Sequence, residues 1–414
     1  MNSARYSKQS NDWWKSAVFY QIYPRSFYDS NNDGIGDLKG VVEKLDHLND
    51  GNGGGLGIDA IWLSPFFPSP QADFGYDVSD YCDVDPIFGS LKDFDSLVSE
   101  SHKRRIRVVI DLVLNHTSDQ HPWFAESRQN RTNDKADWYV WVDPGPDGKP
   151  PNNWLAVFGG SAWTYEPQRQ QYYLHNFLPE QPDLNWYNPE VREALAEVIR
   201  FWMNRGVDGF RLDTANYYAF DRQLRDNPKR QEGSEILEDG QEANPLSAYI
   251  TKYSKDRPEN LEFIKFLRKV FDEKGHITSI GEIGSGEGLD STLRLGADYV
   301  KRKDGLHLAY TFALLGEKMN ADYFDQVTEI TEEAIEDGWP CWSLSNHDCK
   351  RMMTRYKCFA EREGYQQMML LLMLSLRGTP IIYYGEEVDM QQYEISKSEL
   401  KDPQGIRFWP DIKG

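Results

Sequence analysis

Short apolar runs alternate with amphipathic segments along most of this chain. Eight runs rich in β-branched and aromatic residues predict strands, at 17–23, 59–64, 107–114, 207–213, 277–282, 306–311, 340–346 and 380–384. Helical apolar spacing predicts helices at 37–48, 91–104, 189–204, 259–274, 322–337 and 364–376. Repeated βα units of this length predict a parallel sheet, either closed as a (β/α)8 barrel or doubly wound.

Two features of the pattern favour the closed α/β barrel. No G-x-G-x-x-G sequence follows an early strand, as it does in dinucleotide-binding doubly wound folds. The alternation also stops between His116 and Pro189, in a stretch too long for an ordinary connection. We therefore predict a TIM barrel in two parts, 1–116 and 187–414, with a small domain at 117–186 inserted after the third strand. An acidic, polar insert is expected at 221–257, after the fourth strand.

Composition restricts the partners and the compartment. The chain has 414 residues and a net charge of −20, which argues against nucleic acid and anionic membranes as partners. Its N-terminus is polar and no run of 18 apolar residues occurs, so neither a signal peptide nor a membrane span is predicted. The four cysteines have no C-x-x-C spacing, which favours a reduced, cytoplasmic protein.

Acidic and imidazole side chains follow several of the predicted strands. Arg211 and Asp213 stand two residues apart at the end of the fourth strand, so both point to the same face. An isolated pair of this kind is more often a structural ion pair. Similar strand ends recur, however, with His116, Glu282, and the pair His347 and Asp348. One core salt bridge does not explain this set, and the C-terminal strand ends of a (β/α)8 barrel carry its active site.

Paired carboxylates on a barrel rim indicate glycoside hydrolysis. One carboxylate attacks the anomeric carbon, and the other donates a proton to the leaving oxygen. We expect Arg211 to lower the pKa of Asp213, which keeps it ionised. Glu282 lies near Ile280 and Ile283, and desolvation there would keep it protonated.

A loop near the N-terminus has the spacing of a cation site. Oxygen side chains stand at Asp29, Asn31, Asp33 and Asp37, the Ile35 carbonyl is free to point inward, and a glycine allows a sharp turn. The closing glutamate of an EF-hand is missing. The sequence thus predicts a structural Ca²⁺ or Mg²⁺ and no organic cofactor, with a simple Asx-rich turn as the alternative.

Several long motifs in order give the chain a specific family resemblance. It resembles an α-glucosidase of the α-amylase superfamily, glycoside hydrolase family 13, of the oligo-1,6-glucosidase or maltase type. The resemblance extends from Trp13 to the last residues. The motifs that carry it are Asp111-Leu-Val-Leu-Asn-His116, Gly209-Phe-Arg-Leu-Asp213, Gly281-Glu282, Ser345-Asn-His-Asp348, and the stretches 21–27, 74–81 and 181–186.

The resemblance implies a role for each matched residue. Asp213 would be the nucleophile, Glu282 the acid/base and Asp348 the transition-state stabiliser. The glucose pocket would be lined by Tyr76, Asp77, His116, Arg211, His347 and Thr214. The Asp29–Asp37 loop matches the family's metal loop, and 117–186 corresponds to its domain B, which favours exo-action.

Three functions stay open on the sequence. The leading one is a retaining α-glucosidase acting on short oligosaccharides, with α-1,4 preference, because Thr214-Ala215 follows the nucleophile where α-1,6-cleaving members tend to have valine. The second is a transglucosylase or sucrose-active relative, and the third is a silent scaffold member. Oligomeric state is not indicated. The family's last helix, its C-terminal β-sandwich and a glucose-gripping arginine are expected to lie outside this chain.

Overall fold

Eight parallel strands form a closed barrel in the computed structural model, which describes residues 12–231, 245–285, 287–356 and 364–409. The barrel strands are β1 (Phe19–Ile22), β2 (Ala60–Leu63), β3 (Arg107–Leu112), β7 (Gly209–Leu212), β8 (Thr278–Glu282), β9 (Leu308–Tyr310), β10 (Pro340–Ser343) and β11 (Thr379–Tyr383). Each pairs with its neighbour in chain order, and β11 pairs with β1 to close the ring. The predicted (β/α)8 fold is therefore confirmed, and the doubly wound alternative is wrong.

Helices surround this barrel. They are α1 (Pro24–Phe27), α2 (Leu38–Leu48), α3 (Leu91–Lys103), α4 (Pro122–Ser127), α5 (Pro189–Asn204), α6 (Asn260–Asp272), α7 (Leu289–Val300), α8 (Ala321–Ile335), α9 (Met352–Arg355), α10 (Tyr365–Ser375) and α11 (Pro403–Arg407). Side-chain caps fix several of their starts, among them Asp37, Ser90, Asn188 and Asn320. No helix in the described part of the chain is long and apolar enough to cross a membrane.

The strand residues alternate between two cores. Inward-facing side chains such as Phe19, Val109, Ile280 and Ile381 fill the barrel, and Trp13 and Trp14 pack against them. The alternate positions pack outward against the helices in a much larger cluster. Both faces of the strands are thus buried, as expected for a parallel sheet covered by helices.

A separate small sheet lies within the predicted insertion. Its strands β4 (Trp141–Val142), β5 (Trp163–Glu166) and β6 (Gln171–Leu174) are antiparallel, in the order β4-β6-β5. The boundaries 1–116, 117–186 and 187–414 stay a prediction. In the polar insert predicted at 221–257, residues 232–244 lie outside the described residues.

The insertion is tied to the chain that follows β7. Asn153 donates from its side chain to the carbonyl of Asn227 (2.9 Å) and accepts from the Asn227 N–H (2.7 Å). The Trp154 indole also donates to the Arg225 carbonyl (2.9 Å). These bonds fix one side of the small sheet relative to the C-terminal end of the barrel.

Candidate active site

Arg211 connects the carboxylates at the C-terminal end of the barrel. Its Nη1 lies 2.6 Å from Asp213 Oδ1 and 3.0 Å from Asp111 Oδ1, and its Nη2 lies 2.8 Å from Glu282 Oε2. All four residues are buried. Because Asp213 and Glu282 bind the two terminal nitrogens of one guanidinium, their carboxylates lie close together on the neighbouring strands β7 and β8.

A strained turn after β7 provides a second link between Asp213 and Glu282. Thr214 has a positive φ of 39°, which is uncommon for a β-branched residue. This backbone directs its N–H at Glu282 Oε2 (2.9 Å), while its hydroxyl donates to Asp213 Oδ2 (3.2 Å). The structure thus brings the predicted Thr214 to the site, where it contacts both carboxylates.

Burial separates the pKa values of these two groups. It raises the pKa of Glu282 to about 8 against the opposing charge of Arg211, with help from the charges of Asp213 and Asp348. It raises the pKa of Asp213 only to about 6, because Arg211 opposes it. The expected net lowering of the Asp213 pKa is therefore wrong: the cation lowers it, but desolvation is the larger effect.

Asp348 lies beyond the end of β10 and is the most accessible of the three acids. Its side chain is 49 % exposed, and its Oδ1 lies 3.3 Å from His347 Nε2. The Asn346 side chain binds both the carboxylate and the backbone of Asp348. Its Nδ2 donates to Asp348 Oδ2, and its Oδ1 accepts from the Asp348 backbone N–H, each at 2.9 Å. The Asn-His-Asp turn therefore presents a fixed carboxylate to the open side of the site.

Some of the predicted pocket residues contact one another at the site, whereas Asp77 supports a neighbouring loop. Tyr76 Oη lies 2.6 Å from His347 Nε2, and their rings are stacked at 5.4 Å. His116 is buried and lies 3.1 Å from the Tyr76 carbonyl oxygen; burial lowers its pKa to about 3, so it is neutral. Asp77 is fully buried and accepts bonds from Ser69, Ala72 and Asp73, so its carboxylate shapes the 69–73 loop beside the site.

Sequence reasoning assigned no role to several residues that contact this set. Asp111 accepts from the Trp62 indole and the Tyr76 hydroxyl (3.2 Å each) as well as from Arg211. Gln21 lies 2.9 Å from His347 Nδ1. Strand alternation is the signal that would have found them, because Gln21, Trp62 and Asp111 stand two residues after the inward-facing Phe19, Ala60 and Val109.

Half-buried aromatic rings continue from this site into the insertion. Phe177 contacts His116 (centroids 5.1 Å apart), Tyr217 (5.4 Å) and Phe158 (5.9 Å). Gln181, from the same segment, donates to Asp73 (2.8 Å) and lies 3.1 Å from His116 Nε2. Burial, Asp77 and Asp213 raise the pKa of Asp73 to about 8 despite the Gln181 bond. One wall of the site is thus apolar and comes from the insertion.

The predicted metal loop is folded around its own side chains. Asp29 accepts from the N–H groups of Asn32 (2.7 Å) and Gly34 (2.8 Å), and Asn31 donates to Asp33 (3.0 Å). Asp37 caps α2 through the Gly40 N–H (2.7 Å). Among the described residues, no group of three or more His, Cys, Asp or Glu side chains forms a metal-binding cluster.

A closed (β/α)8 barrel with two close carboxylates at its C-terminal end defines the class of barrel glycosidases. Residues 21–413 match the α-amylase catalytic domain. The chain is 51 % identical over 405 residues to a probable alpha-glucosidase from Rhizobium meliloti, covering 97 % of this chain and 72 % of that protein. It is 40 % identical over 403 residues to an oligo-1,6-glucosidase from Parageobacillus thermoglucosidasius, covering 94 % and 67 %.

Solved structures also resemble this chain over most of its length. The alpha-glucosyl transfer enzyme XgtA has a TM-score of 0.93 and 49 % identity, over 98 % of this chain and 74 % of that one. The trehalulose synthase MutB has a TM-score of 0.83 and 37 % identity, over 96 % and 70 %. The chain belongs to the α-amylase family, glycoside hydrolase family 13, and it is an enzyme of that hydrolase family.

Proposed function

We propose that this chain is a retaining, exo-acting α-glucosidase that releases α-1,4-linked glucose from the non-reducing end of maltose and short oligosaccharides. The observation that carries this proposal is the pairing of Asp213 and Glu282 on one guanidinium with pKa values of about 6 and 8. A retaining mechanism needs close carboxyl groups, one ionised and one protonated at working pH.

The proposed reaction has two steps. Asp213 attacks the anomeric carbon and forms a glucosyl ester as the glycosidic C–O bond breaks, and the Glu282 proton goes to the leaving oxygen. Glu282, now ionised, takes a proton from water while the water oxygen attacks the same carbon and displaces Asp213. Asp348, exposed beside His347, stabilises the positive charge that develops on the sugar and holds its hydroxyls.

Substrate recognition is proposed to come from Tyr76, Asp77, His116, Arg211, His347 and Thr214. Neutral His116 and His347 provide uncharged hydrogen-bonding groups for sugar hydroxyls. The apolar wall of Phe158, Phe177 and Tyr217 suits the faces of a sugar ring and limits the pocket on the insertion side. A pocket closed on that side favours exo-action.

The decisive experiment follows the anomeric configuration of the first product by proton NMR. An aryl α-glucoside, which yields a single glucose per cleavage, should release α-glucose before mutarotation, and Asp213→Asn should abolish release. β-Glucose as the first product would exclude the retaining mechanism. Maltose, isomaltose, sucrose and trehalose compared side by side establish the linkage preference.

A glucosyl-transfer activity is the second candidate. It is favoured by similarity to the alpha-glucosyl transfer enzyme XgtA and to a trehalulose synthase solved with sucrose. The same glucosyl ester then passes to a sugar hydroxyl instead of water. Products that contain more than one transferred glucose, or isomerised sucrose, would identify it. A silent scaffold is disfavoured, because Asp213, Glu282 and Asp348 are all present.

We also propose that the Asp29–Asp37 loop binds a structural Ca²⁺ or Mg²⁺ through Asp29, Asn31, Asp33, Asp37 and the Ile35 carbonyl. Oxygen groups collected in one tight turn fit a hard cation, with Asn31 and Asp33 exposed, and Gly34 makes the turn possible with φ of 92°. Metal analysis of the purified protein and of Asp33→Asn tests this. Equal metal content in both would leave the loop as an Asx-rich turn.

A further inference from the structure

Gln21 contacts the Nδ1 of the His347 ring. The other ring nitrogen, Nε2, faces Tyr76 and Asp348. Gln21 lies on β1, is fully buried, and faces into the barrel. Its side-chain nitrogen lies 2.9 Å from His347 Nδ1 and 3.3 Å from the Ser64 hydroxyl. In this orientation the amide nitrogen donates and cannot accept, which makes His347 Nδ1 the acceptor in this contact, while the Gln21 amide oxygen has no hydrogen-bond partner among the described residues.

The other ring nitrogen independently requires the same proton position. His347 Nε2 lies 2.6 Å from Tyr76 Oη and 3.3 Å from Asp348 Oδ1. Tyr76 Oη is also 3.2 Å from Asp111 Oδ2. Asp348 and Asp111 accept hydrogen bonds when ionised, so the Tyr76 proton serves Asp111 and the Tyr76 oxygen accepts from His347 Nε2–H.

The reverse arrangement is unfavourable at two points. A proton on Nδ1 would place the bare Nε2 lone pair 3.3 Å from a carboxylate oxygen of Asp348. It would also draw the Tyr76 hydroxyl proton towards His347 and away from Asp111. Asp111 is buried, and its Oδ2 would then lose one of its three donors and keep only the Trp62 indole and Arg211, which costs a hydrogen bond in a desolvated site.

We propose that Gln21 is a positioning residue that fixes His347 as the Nε2–H tautomer, so that its single ring proton faces Tyr76, Asp348 and the pocket. The resulting chain of donors runs from Gln21 through His347 and Tyr76 to Asp111, which also accepts from the Arg211 guanidinium. Burial lowers the pKa of His347, which keeps the ring neutral and makes its tautomer the controlling variable.

The test reads the tautomer directly. The full chain is labelled with ¹⁵N-histidine, and the His347 signals are assigned by their loss in His347→Asn. Protonated and bare nitrogens of neutral imidazole have well separated ¹⁵N shifts. We expect the wild-type proton on Nε2. Gln21→Glu reverses the contact, because a carboxylate accepts, and should move a proton onto Nδ1.

Two further variants separate this role from simple packing. Ser64→Ala removes the second partner of the Gln21 amide but keeps the His347 contact, so the proton should stay on Nε2. Gln21→Met keeps the volume without a donor and should give a mixture of tautomers. A wild-type proton on Nδ1, or an unchanged Nε2–H in both Gln21→Glu and Gln21→Met, would overturn the proposal.

The kinetic consequence rests on the proposed function, but the spectra do not. In Gln21→Glu we expect kcat/KM for maltose, measured per folded protein, to fall about 10- to 100-fold, the usual cost of losing a partner that fixes a functional histidine. The new buried carboxylate should also lower the Tm, so Gln21→Met is the reference for stability. An inactive wild-type protein would refute the glucosidase assignment and leave the tautomer result standing. Unchanged kcat/KM with a moved proton would show that His347 does not need this tautomer.

Discussion

At the scale of single residues, burial and ion pairing compete for the protonation state of each acid. Arg211 binds Asp111, Asp213 and Glu282 through its terminal nitrogens, and its guanidinium also lies 5.0 Å from the Trp62 ring. The charge of Arg211 acts to lower the pKa of all three carboxyl groups. Desolvation acts in the opposite direction and is larger, so the net pKa of each group lies above its ordinary value. Asp213 and Glu282 share the cation but differ in pKa, and this difference supports the proposed roles of nucleophile for Asp213 and proton donor for Glu282.

We expect a bell-shaped pH profile for kcat/KM. Asp213 must be ionised to attack, so activity should fall as pH drops through about 6. Glu282 must be protonated to donate, so activity should fall as pH rises through about 8. In Glu282→Gln the alkaline limb should disappear, and the rate with maltose should drop about 10²- to 10⁴-fold. Rates with an aryl glucoside across pH 4–10 check this, with circular dichroism as the folding control.

Loss of the Arg211 charge should affect stability as well as activity. Arg211→Met would leave three buried carboxylates without their cation, at a cost of about 3–5 kcal/mol. Arg200→Met is the matched control, because Arg200 also contacts three acids, Glu193, Glu197 and Glu273, but at the surface. The control should lose no more than about 1 kcal/mol. Urea unfolding of both variants measures the difference, and equal losses would contradict a buried hub.

At the scale of elements, the sequence predicted most helices and all eight barrel strands to within about two residues at most ends. Helix α5 matches its predicted 189–204 span at both ends. The third and seventh strands were predicted too long, because their apolar or site residues continue into loops after Leu112 and Ser343. Helix α7 was not predicted, although Leu289, Leu293, Ala297 and Val300 have helical spacing and are buried. Gly296 within the helix and the glycines just before it masked that pattern.

The acids of the site were predicted from their positions at strand ends, whereas the contacts of other residues with them were not. Asp213, Glu282 and Asp348 follow apolar strands, and this local pattern places them at one end of the barrel. Gln21 and Trp62 act through contacts across strands that are far apart in the chain, such as Gln21 with His347. No local pattern gives those distances. Desolvation of Asp213 was also missed, because burial depends on the whole barrel rather than on the residue next to it.

A capping variant tests how far helix starts depend on one side chain. Asn320 caps α8 by accepting the Tyr323 N–H at 2.9 Å. Asn320→Ala should lower the free energy of unfolding by about 0.5–2 kcal/mol, while Asn320→Ser should retain most of it, since serine also caps well. Denaturant titrations of the two variants give the comparison. A serine variant as weak as the alanine one would show that the contact at α8 is not a cap.

At the scale of the whole molecule, three distant parts of the chain surround the site. Residues 69–77 follow β2, Phe158 and Phe177 of the aromatic wall belong to the insertion, and α11 with its flanks follows β11. Burial, with a smaller contribution from the charge of Asp348, raises the pKa of Asp402, the cap of α11. Arg407 and Phe408 then contact the insertion at Gly159 and Gly160. The last described segment therefore connects the barrel to the insertion.

Displacing Phe408 from Gly159 should change the preference for substrate length. A Cβ at Gly159 would lie 2.7 Å from the Phe408 ring, so Gly159→Ala must displace the ring or the loop. The control is Gly148→Ala, which has a similar positive φ but nothing within 4 Å of the added carbon, so it shares the backbone strain without the collision. Both should lose stability through the backbone strain, and Gly159→Ala should lose more because of the collision. Only Gly159→Ala should raise kcat/KM for maltotriose relative to maltose, by about two- to tenfold, which corresponds to roughly 0.4–1.4 kcal/mol. Identical ratios in the two variants would mean that the Phe408 contact does not bound the pocket, and that the aromatic wall alone limits substrate length.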